Sequence, residues 1–306
     1  MSYGLFSKKS IEHLTGADAE KGNTLKRTLS SGNLIALGIG AIIGAGLFVR
    51  TAAAAANCAG PSVTIAFIVA ALGCAFAGLC YAELASMIPV AGSAYTYTYA
   101  TMGEFVAWII GWDLLLELLL GASVVAQGWS AYLGVFLGKL GIKIPEAVAY
   151  GSAFDLPALL LVIVLTILVA VGIKESMRVN LVLVAIKLFV VLFVIIAGIG
   201  FINAANYSPF IPPAKAASAS GRSVWTAPLL QTIFGISPTT FGVMGIFAGA
   251  SLVFFAYIGF DVVATTAEEA RNPQRDLPIG IIGSLVICTI LYVAVTLVIT
   301  GMLPYD

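Results

Sequence analysis

Seven runs of eighteen or more largely apolar residues punctuate this chain, at about 34–56, 62–87, 98–137, 156–173, 179–202, 241–265 and 279–303. A helix needs about 20 such residues to cross a hydrocarbon core of roughly 30 Å. An ordinary globular domain cannot bury that many consecutive apolar residues, and a composition of 60% hydrophobic and 10% charged residues with mean hydropathy +1.04 points the same way. The runs therefore predict an all-α polytopic membrane protein. The third run is too long for one perpendicular span. It implies a long tilted helix, a helix with an interfacial extension, or a hidden eighth crossing.

The polar residues exclude several functions. Fifteen basic residues balance fifteen acidic ones, so no nucleic-acid partner is expected. Cys58, Cys74, Cys80 and Cys288 have no CxxC spacing, and His13 is the only histidine. No metal site, cofactor or disulfide framework is expected. No Ser/His or Cys/His set converges in the runs, so the chain is not read as an enzyme. Residues 1–33 are polar, carry Lys8, Lys9, Lys21, Lys26 and Arg27, and lack the apolar stretch of a secretory signal. They read as a retained cytoplasmic tail. With that orientation Lys174, Arg178, Arg271 and Arg275 also lie inside, and nine inner basic residues face four outer ones (Lys139, Lys143, Lys215, Arg222). The Pro-, Ser- and Gly-rich stretch 203–240 is then an irregular external loop.

Within the runs a few residues do not suit lipid. Gly38, Gly40, Gly44 and Gly46 crowd the first. They suit a helix-packing face, or a local break that exposes backbone amides and carbonyls to a ligand. The sixth run, AGASLVFFAYIGFD at 248–261, is interrupted by Gly259 and Asp261. Two interrupted runs five positions apart are what an inverted repeat of five spans produces. Freed amides favour a carboxylate and freed carbonyls an ammonium, and an α-amino acid carries both on one carbon. Lys187 lies about 8 residues into the fifth run, roughly 12 Å deep at 1.5 Å per residue, beyond easy snorkelling. It either bonds neighbouring carbonyls as a structural tie or loads and releases a proton. Asp113 and Glu117, four apart on one helix face, must look into the bundle or toward water. Tyr95, Tyr97 and Tyr99 suit an interfacial aromatic belt, and Glu268–Pro278 reads as a solvated cytoplasmic turn.

Taken together, GIGAIIGAGLF, PVAGSAYTYTY, GWDLLLEL, FFAYIGFD and EEARNPQRDLP resemble the amino acid–polyamine–organocation superfamily, most of all its bacterial cationic amino acid transporter-like permeases. The resemblance covers about residues 30–303. It implies a LeuT-like fold of two five-helix inverted repeats, with the first and sixth helices unwound around the substrate. In that frame 34–202 is the first repeat, 203–240 the external loop and 241–306 the start of the second repeat. The substrate segment of the first helix is Ile42, Ile43, Gly44, Ala45 and Gly46. By motif, amides at Gly44, Ala45 and Gly46 would meet the carboxylate. Carbonyls at Ile42, Phe255, Ala256 and Ile258 would meet the amino group. Lys187 would stand where sodium-coupled cousins hold a sodium ion, and Glu117 would lie on the proton route. The family needs ten core helices and this chain shows seven, so a truncated product or fragment is expected.

The leading expectation is a proton-coupled amino acid symporter of the plasma (bacterial inner) membrane. Its partners are an amino acid, protons and the lipid bilayer. The alternatives are an exchanger on the same fold and a non-transporting membrane subunit. Whether a small membrane subunit accompanies the chain is left open.

Overall fold

In the computed structural model, residues 7–9, 27–44, 46–170, 177–216 and 239–305 are described. Ala45, most of the N-terminal tail and residues 217–238 of the long loop lie outside them. Among the described residues the apolar runs are helical. Helix α1 spans Ser31–Ile42 and is followed, after the non-helical Ile43 and Gly44, by π- and α-helical turns over Gly46–Ala59. Gly60, at φ +61, and Pro61 turn the corner into α2 (Val63–Met87). A left-handed φ is open to glycine without the strain a Cβ would add.

The third run resolves into two elements. A short helix α3 (Ser93–Thr101) is separated by Gly103, at φ +100, from α4 (Glu104–Lys139). The 36 residues of α4 make a rod about 54 Å long at 1.5 Å per residue. No turn interrupts it, so the excess length of that run is one long helix plus part of α3, and there is no hidden crossing. Helix α5 (Leu156–Ala170) begins at Asp155, whose Oδ1 accepts from the Ala158 amide at 3.1 Å and from Ser130 Oγ at 2.6 Å. One carboxylate thus caps α5 and ties it to α4. Then come α6 (Met177–Ile199), α7 (Gly242–Val253) and α8 (Pro273–Met302). Between α7 and α8 lie a 3₁₀ turn, Phe254–Tyr257, and a short helical turn, Val262–Thr265.

Among the described residues, five helical stretches are long and apolar enough to cross a membrane: Ser31–Met87, Glu104–Lys139, Leu181–Ile199, Gly242–Thr265 and Pro273–Met302. The first holds two of the seven runs. The apolar helix Leu156–Ile167 is shorter. The described ends of the long loop carry order that its composition does not announce. Strands β1 (Lys215–Ala216) and β2 (Thr239–Thr240) pair antiparallel. The Asn203 amide donates to the Gly301 carbonyl at 2.9 Å, and the Phe241 amide to the Cys58 carbonyl at 2.8 Å.

The core is built around α8, which packs on α1, α2 and α6. Small residues set those approaches. A Cβ on Gly280 would stand 2.8 Å from Leu34 Cβ, and one on Gly283 would stand 3.1 Å from the Ile35 side chain. Without a hydrophobic drive between helices in lipid, such close backbone approach is a main source of association. A buried aromatic cluster closes the centre, with Tyr292 5.5 Å from Phe67 and 5.2 Å from Tyr257 between ring centroids. Tyr97 also departs from the expected belt. It is buried and meets Tyr81 edge-on at 6.1 Å, whereas Tyr95 is exposed. By contrast α4, α5 and α6 display large apolar side chains outward, among them Leu119, Leu165 and Phe193.

Candidate functional site

Helix α1 stops at Ile42 because Ile43 leaves helical geometry at φ −72, ψ +103. In an unbroken helix each carbonyl would accept from the N–H four residues on. At the break, side chains from other helices supply donors instead. Lys187 Nζ, from α6, donates to the Gly40 carbonyl at 2.6 Å. Tyr292 Oη, from α8, lies 2.9 Å from both the Ile42 and the Ala256 carbonyls and shares its one proton between them. Lys187 is half-buried and sits ten residues into α6, about 15 Å along it. A hydrogen bond from a charged donor contributes about 1.5–3 kcal/mol, enough to offset much of the penalty of an ammonium inside a span.

The second break follows the 3₁₀ turn. Ile258 is extended at φ −56, ψ +132, and Gly259 takes φ +117, a conformation that glycine adopts without strain. The two breaks meet. A Cβ added to Gly46 would stand 2.7 Å from Ala256 Cβ, and one on Gly259 would stand 3.0 Å from the Ala41 carbonyl carbon. Each glycine lets the backbone of one interrupted segment rest on the other. Gly44 differs, since nothing lies within 4 Å of where its Cβ would be.

Beside this crossing is a cavity of about 430 Å³, within the size range of small-molecule sites. The two breaks contribute Ala41, Ile42, Gly44, Gly46, Phe255, Ile258 and Gly259 to its wall. Helix α4 adds Leu114, Glu117, Leu118 and Val125, and further walls are Gly92, Ser93, Asp261, Val262 and Thr265. Two carboxylates, Glu117 and Asp261, therefore face a space whose other lining is apolar side chains, backbone and the hydroxyl residues Ser93 and Thr265, and no Lys, Arg or His is among the described lining residues.

Of the residues singled out in the sequence, Ile42, Gly44, Gly46, Phe255, Ile258 and Glu117 line the cavity. Ile43 and Ala256 are buried outside its wall, and the Ala256 carbonyl is engaged by Tyr292. Ala45 lies outside the described residues. Lys187 is not in the wall and touches the first break from behind, through Gly40. Asp113 is not in the wall although it shares a helix face with Glu117. In the sequence Asp261 reads as a helix-breaker, with nothing local to place it in the site. Tyr292 escaped notice altogether, because a tyrosine in an apolar run carries no local sign of what its hydroxyl reaches.

The chain was compared with known proteins. A family model described as amino acid permease matches residues 29–306. The chain is 43% identical to the methylthioribose transporter of Bacillus subtilis (strain 168), over 98% of this chain and 60% of that protein. It is 45% identical to the branched-chain amino acid permease BcaP of the same organism, over 100% of this chain and 61% of that protein. It is 42% identical to the vacuolar cationic amino acid transporter 2 of Arabidopsis thaliana, over 98% of this chain and 44% of that protein. The chain thus spans about three fifths of the length of the two bacterial relatives. Its apolar helices are those of a multi-pass membrane protein, and the relatives it matches are named as permeases and transporters. On the match of nearly its whole length, this chain belongs to the amino acid permease family of the amino acid–polyamine–organocation superfamily.

Proposed function

We propose that the chain serves proton-coupled amino acid symport across the plasma membrane, with its N-terminus cytoplasmic and residues 203–240 external. In this reading 34–202 forms the first five-helix unit of a LeuT-like inverted repeat, and 241–306 begins the second. The amino acid lies in the cavity at the crossing of the two breaks. Its carboxylate meets amides of the Gly44–Gly46 segment, and its ammonium meets carbonyls at the wall residues Ile42, Phe255 and Ile258, while the Ala256 carbonyl, outside the wall, stays with Tyr292. The observation that carries the reading is the bond from Lys187 to Gly40 at the edge of the first break. A protonated lysine there holds the end of α1, and its deprotonation frees that carbonyl and loosens the cavity wall. Proton release and gating are then one event. The names of the relatives, which include amino acid permeases and transporters, support the substrate class.

The test is radiolabelled amino acid uptake into proteoliposomes with and without an inward pH gradient. Symport predicts accumulation that depends on the gradient. Uptake that requires internal amino acid and ignores the gradient would establish an exchanger instead. Binding without uptake under either condition would leave a non-transporting membrane subunit.

A further inference from the structure

The polar turn between Thr265 and α8 makes contacts that a merely solvated linker would not. The Leu29 amide donates to the Glu269 carbonyl at 3.0 Å, and the Arg271 amide donates back to the Leu29 carbonyl at 2.9 Å. Together these form a one-residue parallel bridge between Leu29 and Ala270. Arg271 Nε adds a bond to the Thr28 carbonyl at 3.2 Å. From the other side Glu268 Oε1 accepts from the Ala91 amide at 2.9 Å. Leu29, Ala267 and Ala270 are buried. The α8 side of the turn is held separately, since Asp276 Oδ2 accepts from the Asn272 amide at 3.1 Å.

Two chain segments, at Leu29 and at Ala91, therefore converge on residues 266–272, and each of the three leads directly into a different part of the cavity wall. Leu29 lies just before α1, which ends in the wall residues Ala41 and Ile42. Ala91 precedes the wall residues Gly92 and Ser93. The turn itself follows Asp261, Val262 and Thr265. The Ala91 segment is shaped for this contact. Gly92 sits at φ +123, and Thr96 Oγ1 donates to the Ala91 carbonyl at 3.0 Å, which fixes the Ala91–Gly92 peptide next to the Glu268 contact.

We propose that residues 266–272 are a latch that clamps the segments at Leu29 and Ala91 to the end of the second break and shuts the cavity at this end, with Glu268 as the positioning residue. The fastening is light: one charge-assisted bond from an exposed backbone amide, one arginine bond and two backbone bonds. The Glu268 and Arg271 bonds are exposed and individually weak because water competes for both partners, and only the two backbone bonds at the buried Leu29 are shielded. A fastening of that strength opens and recloses, as a gate must. The purpose given to the latch rests on the reading of the cavity as a substrate site, but its existence does not.

Ser93 is buried in the wall behind the Ala91 contact, so its exposure reports opening. The experiment places Ser93→Cys in the chain with Cys58, Cys74, Cys80 and Cys288 replaced by alanine. The rate of labelling by a charged maleimide is then measured without amino acid. Glu268→Ala should raise that rate about tenfold, the loss of one charge-assisted bond. Glu268→Gln keeps the acceptor oxygen and should stay within about twofold of the parent. An unchanged rate in a folded Glu268→Ala protein overturns the latch, and so does a Gln variant that labels as fast as the Ala variant. If Glu268→Ala does not fold, amide exchange on the unaltered chain decides. A latch that opens as one unit gives Leu29, Ala91 and Arg271 a common exchange rate, and unrelated rates overturn it. Failure of amino acid binding would sink the functional reading and leave these readouts untouched.

Discussion

Gly44 and Gly46, two residues apart in one motif, should respond in opposite ways to the same added methyl. A methyl on Gly46 would stand 2.7 Å from Ala256 Cβ and 2.8 Å from the Ala256 amide nitrogen. Its obstacle is backbone from the other interrupted segment, which cannot rotate aside as a flexible side chain would. Overpacking of a tight core costs typically 1–3 kcal/mol, and backbone against backbone belongs at the upper end. Replacing glycine by alanine in a helical turn returns roughly 0.5–1 kcal/mol. The net destabilisation of Gly46→Ala is about 2 kcal/mol. For a chain of 306 residues that is a fall in Tm of roughly 3 °C. Gly44→Ala meets nothing within 4 Å, so its Tm should stay within about 1 °C of the parent. Its methyl would instead enter the cavity and weaken amino acid binding. The assay is thermal unfolding of both variants in detergent, followed by equilibrium binding of the labelled amino acid. If Gly46→Ala melts with the parent, or Gly44→Ala melts below Gly46→Ala, the two interrupted segments do not cross as described.

Other substitutions test other contacts. Tyr292→Phe keeps the ring stacked on Phe67 and Tyr257 but leaves the Ile42 and Ala256 carbonyls without their shared donor. It should lower stability by about 1–2 kcal/mol, measured as Tm, and should shift amino acid affinity; an unchanged Tm and affinity would show the hydroxyl to be idle. Lys187→Met removes the bond to Gly40 while keeping most of the stem volume. It should retain binding yet abolish accumulation driven by a pH gradient, and parent-like accumulation would reduce the lysine to a structural tie. For orientation, a cysteine placed at Ser218 should react with an impermeant reagent outside the cell and one placed at Ser10 should not. The reverse pattern would invert the proposed topology.

Much of the architecture is legible in the chain because it depends on local, repetitive properties. A run of about twenty apolar residues declares a span whatever its neighbours are. Glycines inside such a run declare where the helix yields, and the breaks at Ile43–Gly44 and Ile258–Gly259 fall in the motifs IIGAG and YIGFD. Lys187 announces itself as one charge in an apolar helix, since that insertion is unfavourable unless a partner exists. What the chain cannot declare is the partner. That Lys187 finds Gly40, that Tyr292 reaches Ile42, and that Glu268 holds Ala91 are contacts across 147, 250 and 177 positions. The first two follow from how α1, α6 and α8 lie against one another, and the third from how the turn before α8 meets the segment before α3. The same holds for Gly44 and Gly46, alike in sequence, one of which faces open space and the other the Ala256 backbone. Tyr95 and Tyr97 divide likewise into an exposed ring and a buried one. Hydropathy and glycine content encode whether a segment is buried and where it bends. Which atoms then meet is decided by packing between helices distant in the chain, where an ångström separates a contact from a cavity.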